Sequence, residues 1–328
     1  MPHMDGEKQG ADNSAPAVRP IVADPPEIDD GPEYQPEESR FSRYLLPTGL
    51  FVLTVFTTLW AGAYQDHPDL FHPFLGAWLL LTERPEELVN GIPFSLTLLL
   101  ILVTHELAHF ICSKVHRVPA SLPLFIPGLP ILVGTFGAII RVRGPILERK
   151  ALFDIGISGP LAGFVVAIVA LVVGLRWSTV ETAVSTESPF LVGRSLLLDL
   201  VVSLTMGDLP AGSNVSLHPI AEAAWFGLFV TCLNLIPIGQ LDGGHVAYAM
   251  WGERQSAIAF SVLPILLLLG YFGWHGWILW VGMAGLLGFS HPSIPRPEAT
   301  LGAARMWLGR ATVLLFFLIF PPFPIMSR

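Results

Sequence analysis

Ser95-Leu-Thr-Leu-Leu-Leu-Ile-Leu-Val-Thr-His105-Glu106-Leu-Ala-His109-Phe-Ile111 is an apolar run interrupted by three ionisable residues at helical spacing. It lies inside a longer hydrophobic segment from residue 92 to 115. A run of that length reads as a membrane-spanning helix, because about 20 apolar residues cross a hydrocarbon core of about 30 Å. Within such a helix, two imidazoles four residues apart share one face, and a carboxylate sits one residue round from the first. Ionisable groups are costly at that depth, so they point to a function.

The rest of the chain agrees with a membrane setting. Of 328 residues, 52% are hydrophobic and 13% charged, with a mean hydropathy of +0.60. A water-soluble domain of this size would carry about a quarter of charged residues. Apolar runs recur near residues 45–64, 92–115, 151–175, 219–238, 256–272, 274–290 and 303–322. The expected fold is an all-α polytopic membrane protein of six or seven transmembrane helices. Fourteen of the 18 Lys and Arg residues fall on one side if the N-terminus is cytoplasmic. That bias sets the expected orientation, with the N-terminus and the site toward the cytoplasm.

The formal charge of −8 belongs mostly to residues 1–40, which hold ten Asp and Glu against Lys8, Arg19 and Arg40. Seven prolines and few large apolar side chains accompany them. Such a segment cannot bury enough surface to offset ordering entropy, so it reads as a disordered acidic cytoplasmic tail. Residues 41–328 form the expected transmembrane domain, with its core over 92–250. No basic start followed by an apolar stretch marks a secretory signal in the first 40 residues. Cys112 and Cys232 are too few for a disulfide framework and read as small buried side chains.

Between the second and third spans, the Pro-rich stretch from residue 119 gives way to ILVGTFGAIIRVRG, Ile131–Gly144. Its glycines, β-branched and aromatic residues read as two short strands with a turn or bulge. Such backbone cannot face lipid with its amides unpaired, so it is expected to fold back against the protein as a re-entrant segment. Ser195–Met206, in the largest external loop, reads as a short interfacial helix.

His105-Glu106-x-x-His109 is the HExxH pattern, in which both imidazoles reach one zinc ion and the glutamate holds water on it. A tetrahedral site that also keeps a position for water needs a third protein ligand. Asp242 is the candidate. It lies in Asn234-Leu-Ile-Pro237-Ile-Gly-Gln-Leu-Asp242-Gly-Gly-His245, just after the fourth span, where Pro237 and two glycines are expected to break the helix and let the carboxylate approach. His245 could orient Asp242 or bind substrate, and reads first as a structural residue or a support behind the ligands. His116 reads as a headgroup contact, and His218 and His275 are assigned no metal.

With these motifs in place the chain resembles the site-2 protease family, peptidase family M50, in the form without a PDZ domain found in bacteria and plastids. The resemblance covers about residues 92–250, including Gly134-Thr-Phe-Gly-Ala-Ile-Ile and Ser158-Gly-Pro-Leu-Ala-Gly-Phe. It implies one Zn2+ per chain held by His105, His109 and Asp242, Glu106 as general base, and Asn234 contacting substrate or the oxyanion. It also implies an enzyme of regulated intramembrane proteolysis, whose partners are a transmembrane protein substrate and the lipid bilayer, with no nucleic acid, in a bacterial cytoplasmic membrane. Two other function classes share the residues: a membrane metal-ion transporter or binding protein, and a non-catalytic membrane chaperone. Transport would require polar groups spread through the membrane depth, whereas these cluster in two motifs near one side.

Overall fold

The computed structural model describes residues 44–64, 76, 78–130, 133–181, 190–210, 213–297 and 300–327. The acidic tail expected over residues 1–40 lies outside them.

All seven apolar runs form helices: α1 (Leu46–Tyr64), α2 (Ile92–Val115), α3 (Arg149–Trp177), α5 (Pro219–Leu235), α7 (Arg254–Phe272), α8 (Gly276–Leu287) and α9 (Ala303–Ile319). Short helical turns at Leu79–Glu83 and Glu87–Asn90 precede α2, and two further helices of ten or more residues occur among the described residues, α4 (Leu196–Met206) and α6 (Asp242–Trp251). Helix α4 is the expected interfacial segment, begun by Ser195, whose side chain accepts a hydrogen bond from the Leu198 amide. Length and composition suffice for a membrane crossing in α1, α2, α3 and α7. The other three runs are helical over only 17, 12 and 17 residues. At 1.5 Å per residue, 12 residues reach about 18 Å, so the expected count of six or seven is larger than the four that meet the criterion.

Consecutive long helices run in opposite directions. At one end, Gly62 of α1 abuts Gly91 just before α2, and Gly174 of α3 abuts Ala221 of α5. At that same end the Trp277 indole of α8 donates to the Pro322 carbonyl beyond α9, 2.9 Å away. At the other end, Arg305 of α9 forms two 2.7 Å hydrogen bonds to Asp154 of α3, which also meets His116 at the end of α2 at 3.0 Å. There too the Gly239 amide, after α5, donates to the Phe289 carbonyl, after α8. His116 is therefore part of an ion-pair cluster tying three helices together, not the headgroup contact expected from its flanking Lys114 and Arg117.

The centre of the fold is α3, which packs against α2, α5 and α6. Lipid tails are as apolar as leucine, so helices associate in a bilayer through close contact and polar links more than through apolar burial. The glycines of α3 serve that purpose, as the site makes plain below. Cys232 is fully buried as expected, whereas Cys112 is only half-buried.

The β-like segment is a two-stranded antiparallel hairpin, β1 (Leu124–Pro127) with β2 (Thr135–Ile139), paired Leu124 to Ile139 and Phe125 to Ala138, with a bulge before Pro127. Only the second strand comes from Ile131–Gly144. The first lies in the Pro-rich stretch, where a two-stranded sheet tolerates proline because each strand has an edge with no ladder bond to make. The hairpin does fold back on the helices: Thr57 of α1 donates to the Gly134 carbonyl at 2.6 Å, and buried Phe125 meets Phe51 edge-on. Two further strand pairs lie where α3 ends and α5 begins. They join β3 (Thr179–Glu181) to β5 (Asn214–Ser216) and β4 (Phe190–Val192) to β6 (Ile325–Ser327).

Candidate metal centre

Helix α2 places His105 and His109 one turn apart on its inner face, and both are buried. They lie ten and six residues before the helix ends at Val115, so about 15 and 9 Å from that end. Asp242 arrives from the first turn of α6. There the carboxylate also meets the positive end of the helix dipole.

The glycines after Asp242 act differently from the sequence expectation. Gly243 and Gly244 are helical, and a Cβ on them would sit 2.0 Å from the Leu235 carbonyl and 2.2 Å from the Gly239 carbonyl. Their role is to let α6 turn back against the end of α5, which brings Asp242 to α2. The helix break itself falls earlier, where α5 stops at Leu235 and Ile236 is extended.

Three donor atoms converge. His105 Nε2 and His109 Nε2 are 3.1 Å apart, and each is 3.2 Å from Asp242 Oδ2. His109 Nδ1 donates to the Ile155 carbonyl at 2.7 Å, so in the neutral ring Nε2 carries a lone pair. That lone pair faces a carboxylate oxygen and a second ring nitrogen. With the His105 hydrogen also on Nδ1, all three atoms are acceptors, an arrangement that a cation among them stabilises. Three ligands about 2.0–2.1 Å from a tetrahedral metal stand about 3.3–3.4 Å apart, close to the spacing found here. The donor set thus fits a zinc ion, with the Ile155 carbonyl fixing the tautomer and orientation of one ligand.

Around this triangle the polar residues differ in depth. Glu106 is buried at 5% exposure, next in sequence to His105. The Asn234 amide nitrogen lies 3.5 Å from His105 Nε2. Thr104, Asn234 and His245 are half-buried and Gln240 is exposed.

What the sequence reading missed is the wall of the site. Along α3, Gly156, Gly159 and Gly163 form a stripe, and a Cβ on them would meet His245 Cβ at 2.8 Å, His109 Nε2 at 2.1 Å and His105 Cβ at 3.3 Å. Three histidines pack against three glycines. Spacings of three and four in IGISGPLAGF carried that signal, as small residues on one helix face. His291 was also missed. It lies 46 residues beyond His245 with no motif to link them, yet its Nε2 is 2.8 Å from His245 Nδ1.

The sequence profile of peptidase family M50 matches residues 93–272. The chain is 30% identical over 236 residues to "Probable zinc metalloprotease EGY2, chloroplastic" of Oryza sativa subsp. indica, covering 70% of this chain and 42% of the relative. It is 34% identical over 191 residues to "Probable zinc metalloprotease EGY1, chloroplastic" of Arabidopsis thaliana, covering 57% and 32%. The chain spans less than half the length of these relatives. They are plant proteins named chloroplastic, and lend no support to the bacterial membrane expected from the sequence.

Proposed function

The chain belongs to peptidase family M50, the site-2 proteases, and on that premise we propose that it is an intramembrane zinc metalloendopeptidase that hydrolyses peptide bonds in or near transmembrane segments of membrane proteins. The observation that carries this reading is the convergence of His105 Nε2, His109 Nε2 and Asp242 Oδ2 beside the buried Glu106. His105, His109 and Asp242 would hold the zinc.

A bound zinc would supply Lewis acidity, lowering the pKa of a water and polarising a peptide carbonyl. Glu106 then takes the proton from the attacking water on a carboxylate oxygen and returns it to the leaving amine. Asn234 offers its amide N–H groups to the developing oxyanion. The Ile155 carbonyl keeps the His109 ring oriented throughout.

A substrate helix has its peptide groups bonded internally and must unwind before its carbonyl reaches the site. We assign its holding to the outer edge of β2, where Phe136 and Ile139 are exposed on a strand that, among the described residues, is paired only to β1. Proline placed in turn through Thr135–Ile140 should reduce cleavage while zinc content stays normal. Alternating helix directions support a chain that crosses the bilayer with all seven long helices, the shorter ones where the bilayer thins around them, and with the acidic tail and the site on the cytoplasmic side.

The test is to purify the protein and its Glu106→Gln variant in detergent, verify zinc in both, and incubate each with single-span substrates bearing helix-breaking residues. Cleavage by the parent alone supports the reading. Equal behaviour of the two proteins would remove it.

A further inference from the structure

His245 and His291 take no part in the metal triangle. His245 follows Asp242 by one turn on α6, so the two share a helix face, and its Cβ rests against Gly156 one turn below His109 on the α3 stripe. Its ring lies within the electrostatic reach of both Asp242 and His109.

His291 fixes the state of that ring. His291 Nδ1 is 2.6 Å from the Pro292 carbonyl, and a carbonyl only accepts, so this nitrogen carries hydrogen. Burial favours the neutral form of the His291 ring. Its Nε2 is then a lone pair, and must accept from His245 Nδ1 at 2.8 Å. With its hydrogen on Nδ1, His245 keeps a bare Nε2.

The arrangement is anchored from several directions. His291 stacks on Tyr248 of α6, with ring centroids 4.5 Å apart. Its backbone amide donates to Gln255 Oε1, and the Gln255 amide donates to the Pro237 and Phe289 carbonyls. Gln255 is fully buried, and it ties the loop bearing His291 to the same Asn234–His245 segment that delivers Asp242.

We infer that His291 is a positioning residue that holds His245 as the Nδ1–H tautomer, so that His245 Nε2 accepts a hydrogen bond from a main-chain N–H of the peptide substrate beside the metal triangle. This rests on the protease reading. An unwound peptide brings both carbonyls and N–H groups into the site, and each must be paired there. A bound metal and Asn234 would serve the carbonyl. A neutral imidazole with a bare nitrogen serves the N–H, which no cation or amide donor in the site can do.

The experiment uses the zinc-loaded full chain in bilayers, as parent, His291→Gln, His291→Phe, His245→Phe and the double variant His245→Phe/His291→Phe. Nitrogen-15 spectra of histidine-labelled protein read the tautomer without reference to activity. His245 should be protonated at Nδ1 and bare at Nε2 in the parent and in His291→Gln, whose side-chain oxygen can still accept. That signature should be lost in His291→Phe, which keeps the ring stack on Tyr248. Cleavage should follow: kcat/KM falls about 10–100-fold in His291→Phe, mainly through KM, and stays within about threefold of parent in His291→Gln.

The double variant should be no worse than His245→Phe, since His291 acts through His245. Replacing single substrate amides by esters around the cut should reveal one N–H whose loss costs the parent about tenfold and costs His245→Phe nothing. A parent tautomer with hydrogen on Nε2, parental kinetics in His291→Phe, or a glutamine variant as impaired as the phenylalanine one would each overturn the inference. So would additive loss in the double variant, or an ester series with no such position. A parent without Glu106-dependent cleavage would sink the protease reading and the substrate contact with it, while the spectra would still decide the tautomer.

Discussion

Replacing Gly159 by alanine tests whether the wall of α3 sets the metal site. A Cβ there would lie 2.1 Å from His109 Nε2, 2.4 Å from its Cδ2 and 2.6 Å from its Cε1. Ordinary carbon–nitrogen contact is roughly 3.5 Å, so ring and helix must separate by about 1 Å or more. Alanine is a better helix former than glycine by about 1 kcal/mol, so local propensity works against any simple unfolding explanation. The displacement has two consequences. It pulls His109 Nδ1 from the Ile155 carbonyl, now 2.7 Å away, and it opens the triangle of donors. Lost outer contacts of a ligating histidine typically lower metal affinity about 10–100-fold, and a 1 Å misplacement lowers turnover by about 100-fold. Zinc retained after dialysis against graded chelator, measured by elemental analysis, should drop by that order, with cleavage falling further. Gly163→Ala is the internal comparison, because its Cβ meets His105 at 3.3 Å and a few tenths of an ångström would relieve it. Its effect should be under tenfold. If Gly159→Ala binds zinc and cuts like the parent, or if Gly163→Ala is the worse variant, α3 does not shape the site as argued.

Other perturbations act on separate parts of the structure. Asp242→Ala removes one of the three donors, so the variant should lose zinc under dialysis that leaves the parent loaded; a parental zinc content would remove Asp242 from the ligand set. Stripping the parent with chelator should abolish cleavage and stoichiometric zinc should restore it, whereas activity that survives chelation would deny a metal role. Gln255→Leu leaves the Pro237 carbonyl and the His291 amide without their partner and the Phe289 carbonyl with the Gly239 amide alone, at about 1–3 kcal/mol for each group left unpaired where burial is complete, and thermal denaturation in detergent should show a lower midpoint. Asp154→Asn weakens the two Arg305 hydrogen bonds and the His116 contact, and should destabilise by about 1–2 kcal/mol with zinc content unchanged, the partly exposed side chains limiting the effect. An unaltered melting curve would mean that the cluster contributes no net stability.

What the sequence determined by itself is the part written in local periodicity. The helices appear as apolar runs because a segment that crosses lipid needs about 20 predominantly apolar residues in a row, a signal that needs no knowledge of neighbours. His105, Glu106 and His109 were legible because one helical turn sets their relation. Asp242 was legible because a glycine- and proline-rich segment stood beside it and two imidazoles left a ligand to be found. The tertiary structure alone decided the partner of β2, since pairing is set by what the hairpin packs on and not by strand propensity. It decided that the DGG glycines serve close approach, that Gly159 admits His109, and that His116 and Arg305 meet at Asp154. It also brought His291 to His245 across 46 residues. These contacts depend on which helix faces meet, and a single chain's pattern fixes each face but not its neighbour.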